Sequence, residues 1–160
     1  MKKIMRKLLS ELLKDSKRSD RELAKILGVS QATVTRMRHR LVSEGMIKEF
    51  TIIPDLFKMG YTIMAISFVK TKMGTEMREK AEKYVKGHPN IIFMTKAQGM
   101  GRNGLMISLH KDYAKYSDFL SDLLEYWGAD IEERDDILVS LKGPSVRPFS
   151  LSYLAKQEET

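Results

Sequence analysis

Two serines placed to start helices, Ser19 and Ser30, flank a glycine placed to stop one, Gly28, and this punctuation constrains the chain more than any other feature. Glu22 follows Ser19 by three residues. At that spacing the serine hydroxyl caps a free amide while the glutamate reaches back to the cap's own N–H. Leu23, Ala24, Ile26 and Leu27 then supply the apolar side of a short helix, which Gly28 can end in left-handed backbone. Ser30 starts a second helix running from Gln31 to about Glu44, on which Val34, Met37 and Leu41 fall on one stripe. Two such helices joined by a short glycine-containing turn predict a helix-turn-helix over Ser19–Ile47, whose second helix would enter a major groove. An ordinary basic helical hairpin is the alternative.

Charge separates the two readings. Residues 1–50 hold 13 Lys+Arg against 6 Asp+Glu, whereas residues 51–160 hold 15 of each, so the whole net charge of +7 lies on the first third. A cationic surface beside a neutral one suits phosphate binding. The exposed side of the second helix carries Gln31, Thr33, Thr35, Arg36, His39 and Arg40. Gln and Arg can grip adenine and guanine edges with paired hydrogen bonds, and Thr can meet base edges or phosphate. These six, with Ser30 before the helix and Lys48 after it, are the candidate contacts to double-stranded DNA. From Lys3 to Lys14, Ile4, Leu8, Leu9, Leu12 and Leu13 recur at helical spacing and predict a supporting first helix. After Gly45, the run Met46–Ile53 alternates, is rich in β-branched residues and stops at Pro54-Asp55. It predicts a wing strand or hairpin that places Lys48 near the DNA backbone. Residues 1–55 therefore read as a winged helix-turn-helix domain.

From Thr62 the pattern changes. Thr62–Lys72 predicts a strand with Met64, Ile66 and Phe68 on one face and Ile63, Ala65 and Val69 on the other. A helix follows over Thr75–Lys86, with Met77, Ala81, Tyr84 and Val85 on one stripe. Strands are predicted at Ile91–Gln98 and Leu105–His110. Asp112 caps a helix that buries Tyr116, Phe119, Leu120, Leu123 and Trp127 and ends at Gly128, and a last strand lies within Ile131–Lys142. The order β-α-β-β-α-β over residues 60–142 is the ferredoxin-like arrangement, so the fold class is α+β. Two helices cover only one face of such a sheet. Its other apolar face predicts a second subunit, hence a homodimer. Residues 143–160 form an extension in which Leu151, Tyr153 and Leu154 could dock onto a neighbour.

Gly99-Met100-Gly101-Arg102-Asn103-Gly104 spells G-x-G-x-x-G, but the next residues read as a strand and not as the helix a dinucleotide site requires. No nucleotide cofactor is expected. The surviving functional reading is a small anionic effector held by the amides of Gly99, Gly101 and Gly104 with Arg102 and Asn103 beside them; a plain hairpin loop is the alternative. The chain has no cysteine, and its three histidines, His39, His88 and His110, lie far apart without ligand spacing, so no metal site is expected and each reads as a surface or groove residue. The 11 dispersed methionines read as core filler. No nucleophile–base set or paired carboxylates at catalytic spacing stand out. With no run of eighteen apolar residues and no signal-peptide pattern, a cytoplasmic protein without membrane attachment is expected.

A helix-turn-helix followed by βαββαβ resembles the Lrp/AsnC family of prokaryotic transcription regulators. The resemblance rests on Glu22-Leu23-Ala24, Leu27-Gly28-Val29-Ser30, Thr33-Val34, Arg40-Leu41, Gly45-Met46-Ile47 and Met59-Gly60, and it covers roughly residues 4 to 142. It implies DNA binding by dimers or higher oligomers up to an octamer, nucleoid association, and an amino-acid-like effector near inter-subunit loops. Two departures stand out. Met37-Arg38 sits where the family usually has Arg and then an aliphatic residue, and Arg102-Asn103 occupies the segment where the family typically carries an Asp after a glycine. Two other classes share the architecture: a DNA-coating architectural protein without an effector, and enzymes that decarboxylate siroheme-type tetrapyrroles with His and Arg residues of the second domain.

Overall fold

The computed structural model describes residues 2–72 and 74–156. The chain forms two compact units, Met1–Ile53 together with the segment from Val146 onward, and Pro54–Ser145.

The first unit is built on α1 (Lys3–Lys14), α2 (Asp20–Leu27) and α3 (Gln31–Ser43). The helix boundaries follow from their caps. The Ser19 hydroxyl accepts from the Glu22 N–H at 3.2 Å, and the Glu22 carboxylate accepts from the Ser19 N–H at 2.8 Å. Gly28, at φ 67°, closes α2 in left-handed backbone that costs a glycine little. Leu8, Leu23, Val34 and Leu41 are fully buried and form the centre of the core, with Met5, Leu12 and Ala24 around them and Met37 and Ile47 packed against it. Ile26, placed on the apolar side of α2 by sequence, instead faces solvent. The predicted wing strand is also corrected. Residues 46–53 form no strand: the chain bends at Met46-Ile47 and continues irregularly, with Phe50, Ile52 and Ile53 exposed. Alternation alone does not make a strand; a ladder needs a partner, and none pairs with this segment. The segment from Val146 does not stay apart. It ends in a 3-10 turn, Leu151–Lys156, that packs on α1, where the Ser10 hydroxyl donates to the Ala155 carbonyl at 3.1 Å and Ala155 is wholly buried.

The second unit is a four-stranded antiparallel sheet of β1 (Ile63–Thr71), β2 (Ile91–Gly99), β3 (Arg102–His110) and β4 (Ile131–Ser140), in the order β2-β3-β1-β4. Helices α4 (Thr75–Gly87) and α5 (Tyr113–Trp127) carry the chain between strands, and Asp112 caps α5 by accepting from the Lys115 N–H at 2.8 Å. Tyr84 from α4 and Phe119, Leu123 and Trp127 from α5 pack with Ile91 and Met106 of the sheet.

The pairing register sorts the two sheet faces. Ala65, Ser67 and Val69 of β1 lie opposite Ser108, Met106 and Gly104 of β3 and are buried, whereas Met64, Ile66 and Phe68 alternate with them on the other face. There Ile66 is flanked by Ile107 and Ile137, and Met64 by Val139. The buried face is more polar than its sequence suggests. Ser67 and Tyr116 both donate to Asp136, which also accepts from Arg134 at 2.9 Å. Ser108 and His110 are buried beside them, with the Ser108 hydroxyl 2.9 Å from the His110 ring. His110 is therefore a core residue and not the surface residue its spacing suggested.

Burial pushes the His110 ring below its ordinary value. The unfolded chain takes up a proton near pH 6.5 while folded His110 does not, so stability should fall as the pH drops below about 6.5. Trp127 lies in this core and reports on it. Its fluorescence melting temperature should decline between about pH 6.5 and 5 in the native protein, and His110→Gln should flatten that slope.

Candidate nucleic-acid interface

Helix α3 stands on α2 through one carboxylate. Asp20, the first residue of α2, accepts from the Thr35 hydroxyl at 2.6 Å and from Arg38 Nε at 2.8 Å, while Arg38 Nη2 donates to the Arg18 carbonyl at 3.1 Å. The Thr35 hydrogen bond and then the Arg38 guanidinium hold the Asp20 carboxyl below the usual carboxylate range, against the opposing effect of burial. The Asp20–Arg38 pair is mostly shielded, with side chains 20% and 22% exposed, so solvent screens it less than a surface pair.

That geometry divides the eight sequence-predicted contacts. Gln31, Arg36, His39 and Arg40 are exposed on α3. Among the described residues Arg36 meets no carboxylate; it lies 3.5 Å from the Thr33 hydroxyl. Arg40 is shared with Glu44, whose carboxylate accepts from its Nε at 2.6 Å. Ser30 caps the helix by accepting from the Thr33 N–H at 3.2 Å, and the two hydroxyls lie 2.8 Å apart, so both sit at the helix mouth. Thr35 is turned inward onto Asp20. Lys48 is exposed on the irregular segment after α3, not on a wing strand. Sequence reasoning passed over three residues. Ala32 is exposed in the first turn of α3, and Arg21 and Lys25 are exposed one turn apart on α2. The i, i+4 spacing of Arg21 and Lys25 on α2 is the sequence signal that marks them.

The Gly99–Gly104 segment departs from the open loop expected of it. Strand β3 starts at Arg102, which pairs with Gly99, leaving a two-residue turn of Met100 (φ 50°) and Gly101 (φ 71°). Positive φ at both positions is the turn that matches strand twist. Arg102, Asn103 and Gly104 are therefore strand residues. Arg102 donates to Glu133 and Asp135 of β4, Asn103 accepts from the Thr71 N–H at 3.0 Å and donates to the Thr71 carbonyl at 2.7 Å, and a Cβ on Gly104 would meet the Val69 side chain at 2.8 Å. The glycines therefore lie in or beside the tight β2–β3 hairpin, and Arg102 and Asn103 are engaged with β4 and β1.

The second unit's histidines are likewise engaged. His88 stacks on Tyr84 and places Nε2 3.0 Å from the Asp122 carboxylate, and His110 is buried. Among the described residues no cluster of His, Cys, Asp and Glu could hold a metal ion, and no helix is long and apolar enough to cross a membrane.

A helix-turn-helix with an exposed cationic reading face, carried in one chain with a βαββαβ unit, defines a DNA-binding transcriptional regulator. Comparison with known proteins agrees. Residues 1–48 match the family described as winged helix-turn-helix DNA-binding. An uncharacterised HTH-type transcriptional regulator of Pyrococcus furiosus is 31% identical over 127 residues, which span 78% of this chain and 83% of that protein. The crystal structure of PH0061, from Pyrococcus horikoshii, superposes with a TM-score of 0.80 at 26% identity, covering 94% of this chain and 97% of that one. E. coli AsnC shares the fold, with a TM-score of 0.75 at 17% identity over 93% and 97% of the two chains. This chain belongs to the HTH-type transcriptional regulators and has the fold of E. coli AsnC.

The two arginines of α3 should separate by their effect on stability. Arg38→Ala leaves the Asp20 carboxylate short of its cation and should cost about 1–3 kcal/mol in urea denaturation followed by circular dichroism. Arg36→Ala removes no internal carboxylate contact and should stay within about 0.5 kcal/mol of the native protein.

Proposed function

We propose that Gln31, Arg36 and His39 read base edges in a near-palindromic operator, while Arg21, Lys25, Arg40 and Lys48 hold its phosphate backbone. The observation that carries this reading is Asp20. It turns Thr35 and Arg38 inward, so the polar groups α3 leaves in solvent form one surface. Ser30 and Thr33 sit at the start of α3, where the helix dipole favours a phosphate oxygen. In a helix-turn-helix the first helix of the pair crosses the backbone, which suits Arg21 and Lys25. Sequence-specific regulation is favoured over DNA coating because Gln31 and Arg36 are residue types that discriminate bases. Regulation is favoured over tetrapyrrole decarboxylation because His88 and His110 serve internal packing.

The protein acts as a homodimer, paired through the sheet face that carries Met64, Ile66 and Phe68. Support comes from the exposed Phe93, Ile137 and Val139 on that face, an apolar surface of a kind monomers seldom leave in water. Pairing would present two reading helices to half-sites about 34 Å apart. An effector carboxylate at the Gly99–Gly104 hairpin would have to compete with Glu133 and Asp135 for Arg102. Arg102→Ala with a metabolite panel, read by thermal shift, tests that ligand separately.

Two measurements test the reading. Footprinting on DNA flanking the protein's own gene, followed by titration of Arg36→Ala, should show a loss of about 1–3 kcal/mol on the protected site and little loss on unrelated DNA. Equal loss on both would reject the base contact. Light scattering should give at least twice the 18.4 kDa chain mass, and Ile137→Glu, on the open face, should return the mass to that of one chain. A native monomer would refute the paired-sheet reading.

A further inference from the structure

Helix α4 covers the β2 side of the sheet incompletely. Tyr84 is its one fully buried residue, while Met77, Ala81 and Val85 are only partly buried along the same stripe. Between that stripe and the sheet lies a groove of about 940 Å³, with Val69, Met94 and Trp127 as its opposite wall. Gly104 lies in its lining, and any larger residue there would run into Val69. The volume is of the size that takes a small organic molecule, and the walls offer an apolar body a dry seat.

The rim is charged, and on one side only. Lys72, Arg78, Lys86 and Lys96 are set against Glu82 alone, which leaves the rim strongly positive. Glu82 is already held by Arg78 at 2.9 Å, and Lys72 by Asp130 at 3.4 Å. Among the described residues no ion pair is recorded for Lys86 or Lys96. These two cations lie toward opposite ends of the groove, Lys86 in the last turn of α4 and Lys96 on β2 across from Gly104. A ligand that satisfies both features has an apolar body and an anionic end. It should also lack an ammonium group, because the single rim carboxylate is already paired and an ammonium would face the cations.

We propose that the groove between α4 and β2 binds apolar monocarboxylates, such as medium-chain fatty acids or deaminated aromatic acids, in preference to free amino acids. The apolar body lies along Met77, Ala81 and Met94, and the carboxylate meets Lys86 or Lys96 at one end of the groove. This site does not include the reading face of α3, and it meets the open sheet face only at the edge strand β2, through Phe93.

Methionine methyl groups provide reporters inside and outside the groove. Full-length protein labelled with ¹³C at the methionine methyls is titrated with octanoate, 2-aminooctanoate and octylamine at matched ionic strength, with signals assigned by single Met→Leu variants. Octanoate should move the Met77 and Met94 signals saturably and leave Met64 and Met5 in place. The aminated probes should need at least about tenfold higher concentration. Lys86→Glu combined with Lys96→Glu, both on the surface, should weaken octanoate about tenfold, equivalent to about 1.4 kcal/mol. Ala81→Phe, which fills the groove, should abolish the response. The charge variants decide the matter even if Ala81→Phe fails to fold. Absence of saturable shifts, movement of Met64 in place of Met77 and Met94, equal binding of octylamine, or indifference to the two charge reversals would each overturn the proposal.

Discussion

The Asp20 carboxylate is the contact on which the reading surface depends. It lies at the start of α2 and takes hydrogen bonds from two residues of α3, Thr35 and Arg38. A recognition helix is useful only if its side chains arrive at fixed positions, and small errors in placement are enough to lose directional hydrogen bonds. Apolar packing of Val34 and Leu41 fixes how deep α3 sits but tolerates rotation about its axis. The paired donors on Asp20 remove that freedom. The surface ion pair between Arg40 and Glu44, about half exposed on both sides, has no comparable grip.

The parts of this fold that were legible in the sequence are the locally determined ones. The Ser19–Glu22 capping box, the Ser30 and Asp112 caps and the Gly28 stop each involve residues within a few positions of one another, and each is present. Strand periods also read correctly, because the alternation in β1 maps directly onto two faces. What was not legible depended on distant partners. Thr35 looked like a DNA contact because its inward partner lies fifteen residues earlier, in another helix. The run Met46–Ile53 had the composition of a strand but no neighbour to pair with. Arg102 looked available because Glu133 and Asp135 come into register only once β4 joins the sheet. Helix α3 was found in the right place, yet which of its polar residues remain in solvent was decided by tertiary contacts.

The sheet of the second unit reverses the usual distribution of polarity. Its helix-covered face holds Ser67, Ser108, His110, Arg134 and Asp136 in hydrogen-bonded contact, while the face left open is lined by Ile66, Phe68 and Ile137. A buried polar network demands particular partners at particular angles, so it fixes how α5 sits on the strands more narrowly than apolar contact alone. The open face carries no such demand. Its centre is apolar, and an apolar surface accepts another one readily.

The contact between Ser10 and Ala155 has a consequence for the order in which the molecule is made. The first unit is discontinuous in sequence, since its α1 is covered by residues that follow the whole of Pro54–Ser145. As the chain emerges during synthesis, α1, α2 and α3 can gather early, as N-terminal units generally do. The surface of α1 that receives Ala155 must nevertheless wait, uncovered, until the sheet unit has also been made. Closing so long an intervening loop costs less entropy once that stretch has itself become compact. The second unit is thus a folding prerequisite for the completed first one, and a nascent chain halted between them would carry its three helices with one side of α1 still open.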